Sequence, residues 1–335
     1  MLSYSIRRLL FSVPTLLIIA LAIFMLLELA PGDPLANVPL SVPQEVKERM
    51  REALGLGEPV MVRFWKWMVQ FFWIEPQVLV DRALGTTLTE GHQRIISFQT
   101  RSPVMDIIYQ RLPQTLWVVG IAYIIGVVIA VPIGVISAYR QYSFFDQAGT
   151  FVSMIGFSVP SFFTGVLAIV IFSVQLGWLP SIYDTTHKVV DWSSFWVQVK
   201  QMIMPAMVLA LQTTAQISRF MRASMLDNLN QDYVRTARAK GMSESTVVNV
   251  HALRNSMIPV VTVIALGAPG IFGGAIITEQ IFKVNGIGQL LITAIEANDF
   301  PMVQTITFIF AILIVLFNLI ADLLYGMLDP RIRYD

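Results

Sequence analysis

Six stretches of about 20 predominantly apolar residues recur along this chain of 335 residues, and runs of that length restrict the fold severely. In lipid every backbone N–H and C=O must be satisfied within the segment that carries it, which leaves helices as the natural solution. The runs fall near 9–29, 115–138, 150–176, 203–220, 257–281 and 303–327. Each can cross about 30 Å of hydrocarbon at about 1.5 Å per residue. Gln212, Thr213, Thr214 and Gln216 interrupt the fourth, yet five spans would leave a flanking segment on the wrong side, so six are predicted. With 55% hydrophobic and 13% charged residues, the chain reads as an all-α polytopic membrane protein, not a soluble one. The first helix is expected to stay as an anchor, because Glu28, Pro31 and Asp33 stand where a signal peptide needs small residues.

Charge placement sets the direction. With the amino terminus inside, cytoplasmic segments hold Arg7, Arg8, Arg140, Arg219, Arg222, Arg235, Arg238, Lys240, Arg254, Arg331 and Arg333. The short outer loops hold only Lys188, Lys200 and Lys283, so both termini are predicted to face the cytoplasm. The segment 31–113 exceeds the roughly 60 residues over which this bias operates and is left out of the comparison. A net charge of +1 gives no reason to expect a nucleic-acid partner. Without cysteine there is no disulfide or thiolate site, and His92, His187 and His251 lie on separate segments, so no metal is expected.

The outer segment carries helix signals of its own. Ser41 to Gln44 reads as a capping box, followed by an apolar stripe of Val42, Val46, Met50, Ala53 and Leu54 that Gly55 ends. The run 60–74 is aromatic, with Phe64, Trp65, Trp67, Phe71, Phe72 and Trp73. It is too short to cross and is expected to lie at the interface, with Arg63 and Lys66 snorkelling. A third short helix is expected to start with Ser102 as cap and Pro103 in its first position.

A pump needs an energy source, and no lysine here is followed by Ser or Thr, so the chain holds no phosphate-binding loop. That leaves passive passage, ion coupling or an ATPase supplied in trans. The connector 219–254 decides among them. It is rich in helix formers and charge, with Gly241 near its middle and Ser243 placed to cap a helix whose first turn holds Glu244. This predicts helix, turn, helix, read as a docking surface against the alternative of a solvated connector. Met242, Val247, Val248 and Val250 would be free to enter a partner's groove.

In the fifth span Gly267, Gly270 and Gly274 share one helix face, which Thr278 continues. They serve helix packing or line a passage at a partner interface. Gln212, Thr213, Thr214 and Gln216 either line a polar path or hydrogen-bond between helices. Glu28, Glu279 and Asp322 sit toward span ends, where snorkelling or interhelical pairing is expected.

At the 219–254 connector the chain resembles the inner-membrane permeases of binding-protein-dependent ABC importers, within them the dipeptide, oligopeptide and nickel group. Tyr233 to Gly241, YVRTARAKG, followed by His251 to Pro259, HALRNSMIP, is similar to that group's coupling signature. The general Glu-Ala-Ala pattern is kept only in part, since Arg235, Thr236 and Ala237 occupy those three positions. PGDP at 31–34, LGLGEP at 54–59, LGWLPS at 176–181 and DPRIR at 329–333 add to the resemblance, while Lys283, Val284 and Asn285 depart from it.

The resemblance implies a type I importer permease fold: a first helix in 1–30, an extracytoplasmic segment 31–113, and a five-helix core 114–330 containing the coupling loop 219–256. It implies a bacterial inner-membrane location and a heterodimer with a second permease. Two partner subunits would bind ATP and Mg, this chain holding no cofactor, and an external solute-binding protein would deliver cargo. The ATPase-coupling residues it implies are Arg235, Thr236, Ala237, Arg238, Ala239, Lys240, Gly241, Met242, Ser243 and Glu244. Short peptides are the first expectation for the solute, with nickel chelates, glutathione and sugar- or opine-like compounds as alternatives. An ion-coupled secondary transporter lacks support in midplane charges or internal repeats. An intramembrane enzyme would need a nucleophile or paired carboxylates that no span offers.

Overall fold

The computed structural model describes residues 2–29, 43–53, 55–273 and 275–328; the side chains of 2–6, 50, 53, 273 and 325–328 stand outside that description. The expected landmarks at 31–34 and 329–333, the capping residue Ser41, Leu54 and Gly274 also fall outside it. The described residues are helical, apart from turns, loops and an isolated antiparallel bridge between Ile96 and Pro103.

The helices are α1 (Leu2–Leu29), α2 (Gln44–Ala53), α3 (60–84), α4 (Val104–Tyr139), α5 (Phe144–Ser158), α6 (Ser161–Gln175), α7 (Trp192–Leu229), α8 (Asp232–Ala239), α9 (Glu244–Phe272), α10 (Ile276–Phe282), α11 (Ile287–Glu296) and α12 (Phe300–Leu328). Five of them, α1, α4, α7, α9 and α12, are long and apolar enough to cross a membrane, and the pair α5 and α6 supplies a sixth crossing if counted together. The chain is therefore a polytopic all-helical membrane protein.

Boundaries differ from expectation where local chemistry intervenes. The third run was expected to be one helix, but α5 and α6 meet at a bend of 106°. Pro160 has no N–H to donate and drives Val159 to extended geometry (φ −85°, ψ 124°), which ends α5. The helix expected from Ser102 begins at Val104 and runs without interruption into the second span. The polar residues at 212–216 do not weaken the fourth run; α7 extends through them for 38 residues, about 57 Å. The fifth run keeps helical backbone at Ala268 (φ −61°, ψ −36°) and continues in α9 to Phe272, and its remainder from Ile276 is the separate helix α10.

The chain divides into two compact units: 1–9 with 114–288 and 313–335, and 10–113 with 289–312. In the first unit α4 lies directly against α7. A Cβ at Gly134 would stand 2.5 Å from Met221 Cβ and 2.7 Å from the Ser218 carbonyl, and one at Gly126 would stand 2.7 Å from Thr213 Cβ. Ala130, fully buried, falls midway between these glycines and completes a small-residue stripe at every fourth position. Thr214 Oγ1 donates to the Gly126 carbonyl at 3.1 Å across the same crossing. Farther along, Ser224 Oγ donates to the Ser256 carbonyl at 2.9 Å and Ser256 Oγ returns the bond at 3.2 Å, tying α7 to α9.

The second unit is organised by aromatic packing and ion pairs. Phe308 of α12 is fully buried, and the rings of Trp67, Phe71 and Phe72 meet it edge-on at 5.2, 5.1 and 5.8 Å, while Phe24 of α1 meets Phe64 at 5.5 Å. The aromatic helix therefore buries one face in protein and continues to Leu84, where Gly85 at φ +68° ends it. Arg63 pairs with Glu28 and Lys66 with Glu58. Arg94 bonds Glu75 at 2.7 Å and Asp106 at 2.8 Å. Burial alone would push the Arg94 guanidinium down, but the hydrogen bonds with Asp106 and Glu75 outweigh it and hold the group above its ordinary range. Asp299, almost fully buried, accepts from Ser97 Oγ and from the Phe98 N–H at 2.9 Å, fixing the loop before α4.

Asp81 organises the turn after α3. Its carboxylate accepts from Thr86 Oγ1, Leu88 N, Thr89 N and Thr89 Oγ1 at 2.5–2.9 Å. These bonds, with the Thr86 and Thr89 hydroxyls contributing most, lower its pKa well below the usual carboxylate value. A depressed carboxylate stabilises fully above its unfolded pKa and loses that contribution as pH falls through the folded one. Amide exchange at Leu88 and Thr89, corrected for intrinsic rate, should stay slow from neutrality down through pH 4 and quicken only in stronger acid. Asp81→Asn should quicken it from neutrality down through pH 4, the difference from wild type closing only in stronger acid.

Candidate functional site

Between α7 and α9 the chain forms the helix, turn and helix expected of it. Asp232 stands in the first turn of α8, where a carboxylate suits the helix dipole. The helix ends in a Schellman arrangement: Gly241 N–H donates to the Arg238 carbonyl at 2.9 Å, and Met242 N–H to the Ala237 carbonyl at 3.3 Å. Gly241 takes φ +75° with open space around it, so the demand for glycine is conformational and not steric. Ser243 then caps α9 by accepting from Thr246 N at 3.3 Å. Arg238 reaches across the turn to Glu244 with Nη2–Oε1 at 2.7 Å and Nε–Oε2 at 3.2 Å. That pairing holds the Arg238 guanidinium above its ordinary pKa.

Of the residues singled out here, Arg235, Thr236, Arg238, Ala239, Lys240, Gly241, Met242 and Ser243 are exposed, and Glu244 is half-buried. Ala237 is buried. Val247 and Val248, expected to be free for a partner, are also buried; Met242 and Val250 remain outside. The reason is packing. Val234, Ala237, Val247 and Val248 share one apolar core with Ile217, Met221 and Met225 of α7 and Ala130 and Ala138 of α4. The exposed elbow thus stands on a base continuous with the spanning helices.

The same α7 lines a cleft of about 510 Å³ within the first unit. Gln212, Thr213 and Gln216 form its polar side, and Gly267 and Gly270 border it, so five of the expected pathway residues come together. Thr278 does not; it is buried on α10. Gly267 and Gly270 share α9, whereas Gly274 lies outside the described residues and Thr278 stands on the separate α10. The two glycines differ in purpose. A Cβ at Gly267 would lie 2.6 Å from Tyr123 Oη, whose hydroxyl donates to the Ile264 carbonyl at 2.5 Å, whereas Gly270 meets nothing within 4 Å. Gly267 serves packing and Gly270 keeps space open. Among the described residues no Asp, Glu, Lys or Arg lines the cleft. Its wall offers amides, hydroxyls and apolar surface, which suit an uncharged amide backbone without selecting side chains.

Ionisable groups toward span ends are paired. Arg8 meets Asp322 at 2.6 Å. Glu279 is buried on α10, where Thr115 Oγ1 donates to it at 3.2 Å while accepting from Ile287 N at 2.7 Å. Sequence reasoning missed Asp146, the first-turn residue of α5, which Arg222 of α7 grips with Nε–Oδ1 at 2.7 Å and Nη2–Oδ2 at 2.9 Å. It also missed the stripe of Gly126, Ala130 and Gly134, which its four-residue spacing could have revealed.

Residues 130–334 match the family described as the binding-protein-dependent transport system inner membrane component, and residues 1–119 match its N-terminal membrane-component region. The chain belongs to that family. It is 38% identical to an oligopeptide transport system permease protein of Bacillus subtilis, with all of both chains covered. It is 35% identical to a dipeptide transport system permease protein of Alkalihalophilus pseudofirmus and 35% to a glutathione transport system permease protein of Escherichia coli, again with complete coverage of each. A membrane component of this family places the exposed elbow and the uncharged cleft in the context of a multisubunit transport system.

Removing Arg222 strands a buried carboxylate at the α5–α7 junction. Arg222→Ala should lower unfolding stability by about 3 kcal/mol, read from thermal unfolding of the purified chain in detergent. Arg222→Lys, which keeps the charge but not the two-pronged geometry, should lose distinctly less.

Proposed function

We propose that this chain is a non-catalytic permease subunit of an ATP-binding-cassette importer, forming half of a translocation path for short peptides. The observation that carries the reading is mechanical continuity. One helix, α7, holds the polar wall of the cleft at 212–216 and shares a packed core with the elbow at 234–248. A push on the elbow therefore reaches the cleft through close-packed side chains, as rigid elements transmit motion. ATP and Mg belong to two partner ATPases that grip the elbow through Arg235, Thr236, Arg238, Ala239, Lys240, Gly241, Met242, Ser243 and Glu244, while Ala237 secures its base. A second, related permease supplies the facing wall of the path, with Gln212, Thr213, Gln216 and Gly270 on this side. An external solute-binding protein delivers the cargo.

Peptides are the solute that best suits an uncharged, amide-lined cleft, and the relatives named for oligopeptides, dipeptides and glutathione support the same class. The basic residues of the elbow and of the first helix support a topology with both termini and the elbow in the cytoplasm, at a bacterial inner membrane, and with 31–113 outside.

The natural absence of cysteine makes the orientation directly testable. Lys240→Cys should react with an impermeant maleimide only in inside-out vesicles, and Lys188→Cys only in right-side-out ones. In proteoliposomes holding the whole assembly, Gly241→Val should cut peptide-stimulated ATP hydrolysis and uptake at least tenfold, with the subunits still co-purifying or separating according to how much of the elbow's shape docking needs. Undiminished uptake after replacement of 235–244 by a flexible linker would sink the reading.

A further inference from the structure

The second unit holds an open-sided cavity of about 660 Å³, against about 510 Å³ for the cleft of the first unit. Arg63, Lys66, Trp67 and Gln70 line it from α3 at positions i, i+3, i+4 and i+7, one face of the helix. Glu28 near the end of α1, Glu52 near the end of α2 and Gln304 in the first turns of α12 also line it. The cavity borders the last described turn of α1 and the first turns of α12, both long and apolar enough to cross a membrane.

Part of its polar lining is already committed. Arg63 pairs with Glu28, and Lys66 Nζ meets Glu58 Oε1 at 2.5 Å. What remains falls into two complementary sets. Trp67 Nε1 and Gln304 Nε2, on side chains more than nine-tenths buried, have no hydrogen-bond partner among the described residues, nor does Arg63 Nε. These are donors. Glu58 Oε2 is likewise hidden and unpartnered, and the solvent-exposed Glu52 adds a second carboxylate, its exposure leaving no burial cost to relieve. These are acceptors. Buried donors and acceptors left open are costly, so such a set points to a ligand that completes them. A simple anion would face three carboxylates, a simple cation would face Arg63, Lys66 and Arg94, and an apolar molecule would leave every open group unmet.

We propose that this cavity is a binding site for a small zwitterionic group, with its oxyanion toward Trp67, Arg63 and Gln304 and its ammonium toward Glu52 and Glu58. Two sources carry that chemistry: a short peptide with free termini and the headgroup of an ethanolamine phospholipid. The site lies in the unit that holds neither the cleft nor the elbow, so it stands or falls separately from the coupling mechanism.

The experiment uses the full chain in nanodiscs of phosphatidylglycerol, with or without phosphatidylethanolamine. Equilibrium dialysis follows radiolabelled Ala-Ala, its N-acetyl form and its C-terminal amide, and native mass spectrometry follows retained lipid. If the peptide is the occupant, both blocked forms should bind at least tenfold more weakly. Trp67→Phe, which keeps the ring and removes the N–H, and Gln304→Leu should erase the preference for a free carboxylate. Glu58→Gln and Glu52→Gln should erase the preference for a free amine. If the lipid is the occupant, wild type should retain phosphatidylethanolamine over phosphatidylglycerol, and the same four variants should lose it. Equal binding of free and blocked peptides together with no lipid preference would overturn the proposal, as would a preference of either kind that all four variants preserve.

Discussion

The close crossing of α4 and α7 is the constraint on which the first unit depends. At Gly134 the space a methyl group would occupy is already filled by Met221 and the Ser218 carbonyl, so the two helices touch through backbone. In lipid there is little hydrophobic driving force to hold helices together, and such contact supplies van der Waals packing in its place. Because α7 is fixed there, it can present Gln212, Thr213 and Gln216 to the cleft while, farther along, it carries Met221 and Met225 into the core of the elbow. Loosening the crossing would separate two functions that one rod joins.

The elbow adds a second kind of rigidity, built from local chemistry. The Schellman turn at Gly241, the Ser243 cap and the Arg238–Glu244 pairing each act within a few residues. A surface ion pair alone contributes little. Here it closes a turn whose two arms are already anchored by Val234, Ala237, Val247 and Val248, so its effect is to narrow the shapes available to the exposed residues.

Much of this was legible in the chain. Apolar runs of spanning length, a glycine flanked by helix formers and a serine three residues before a threonine are local signals, and the structure realises them at 192–229, 232–239 and 243–246. Non-local features were harder to read. Val247 and Val248 look like an exposed apolar pair until α7 and α4 are placed beneath them. Nothing in the sequence discloses that Phe308, more than 230 residues later, packs onto one face of the aromatic stretch 60–74. The bend between α5 and α6 was visible in principle, since Pro160 restricts Val159 whatever surrounds it; the apolar length of the run obscured the break. Buried carboxylates such as Asp146 and Asp299 leave no periodic trace, and their partners lie far off in sequence.

The uncharged wall of the cleft has a further consequence for a membrane that stores energy as an ion gradient. A bare cation or anion entering would surrender its hydration shell and receive no fixed opposite charge from the described lining in return. In the path proposed above, such a wall would oppose leakage through its residues alone, admitting a bulky polar guest without discharging the cell's battery.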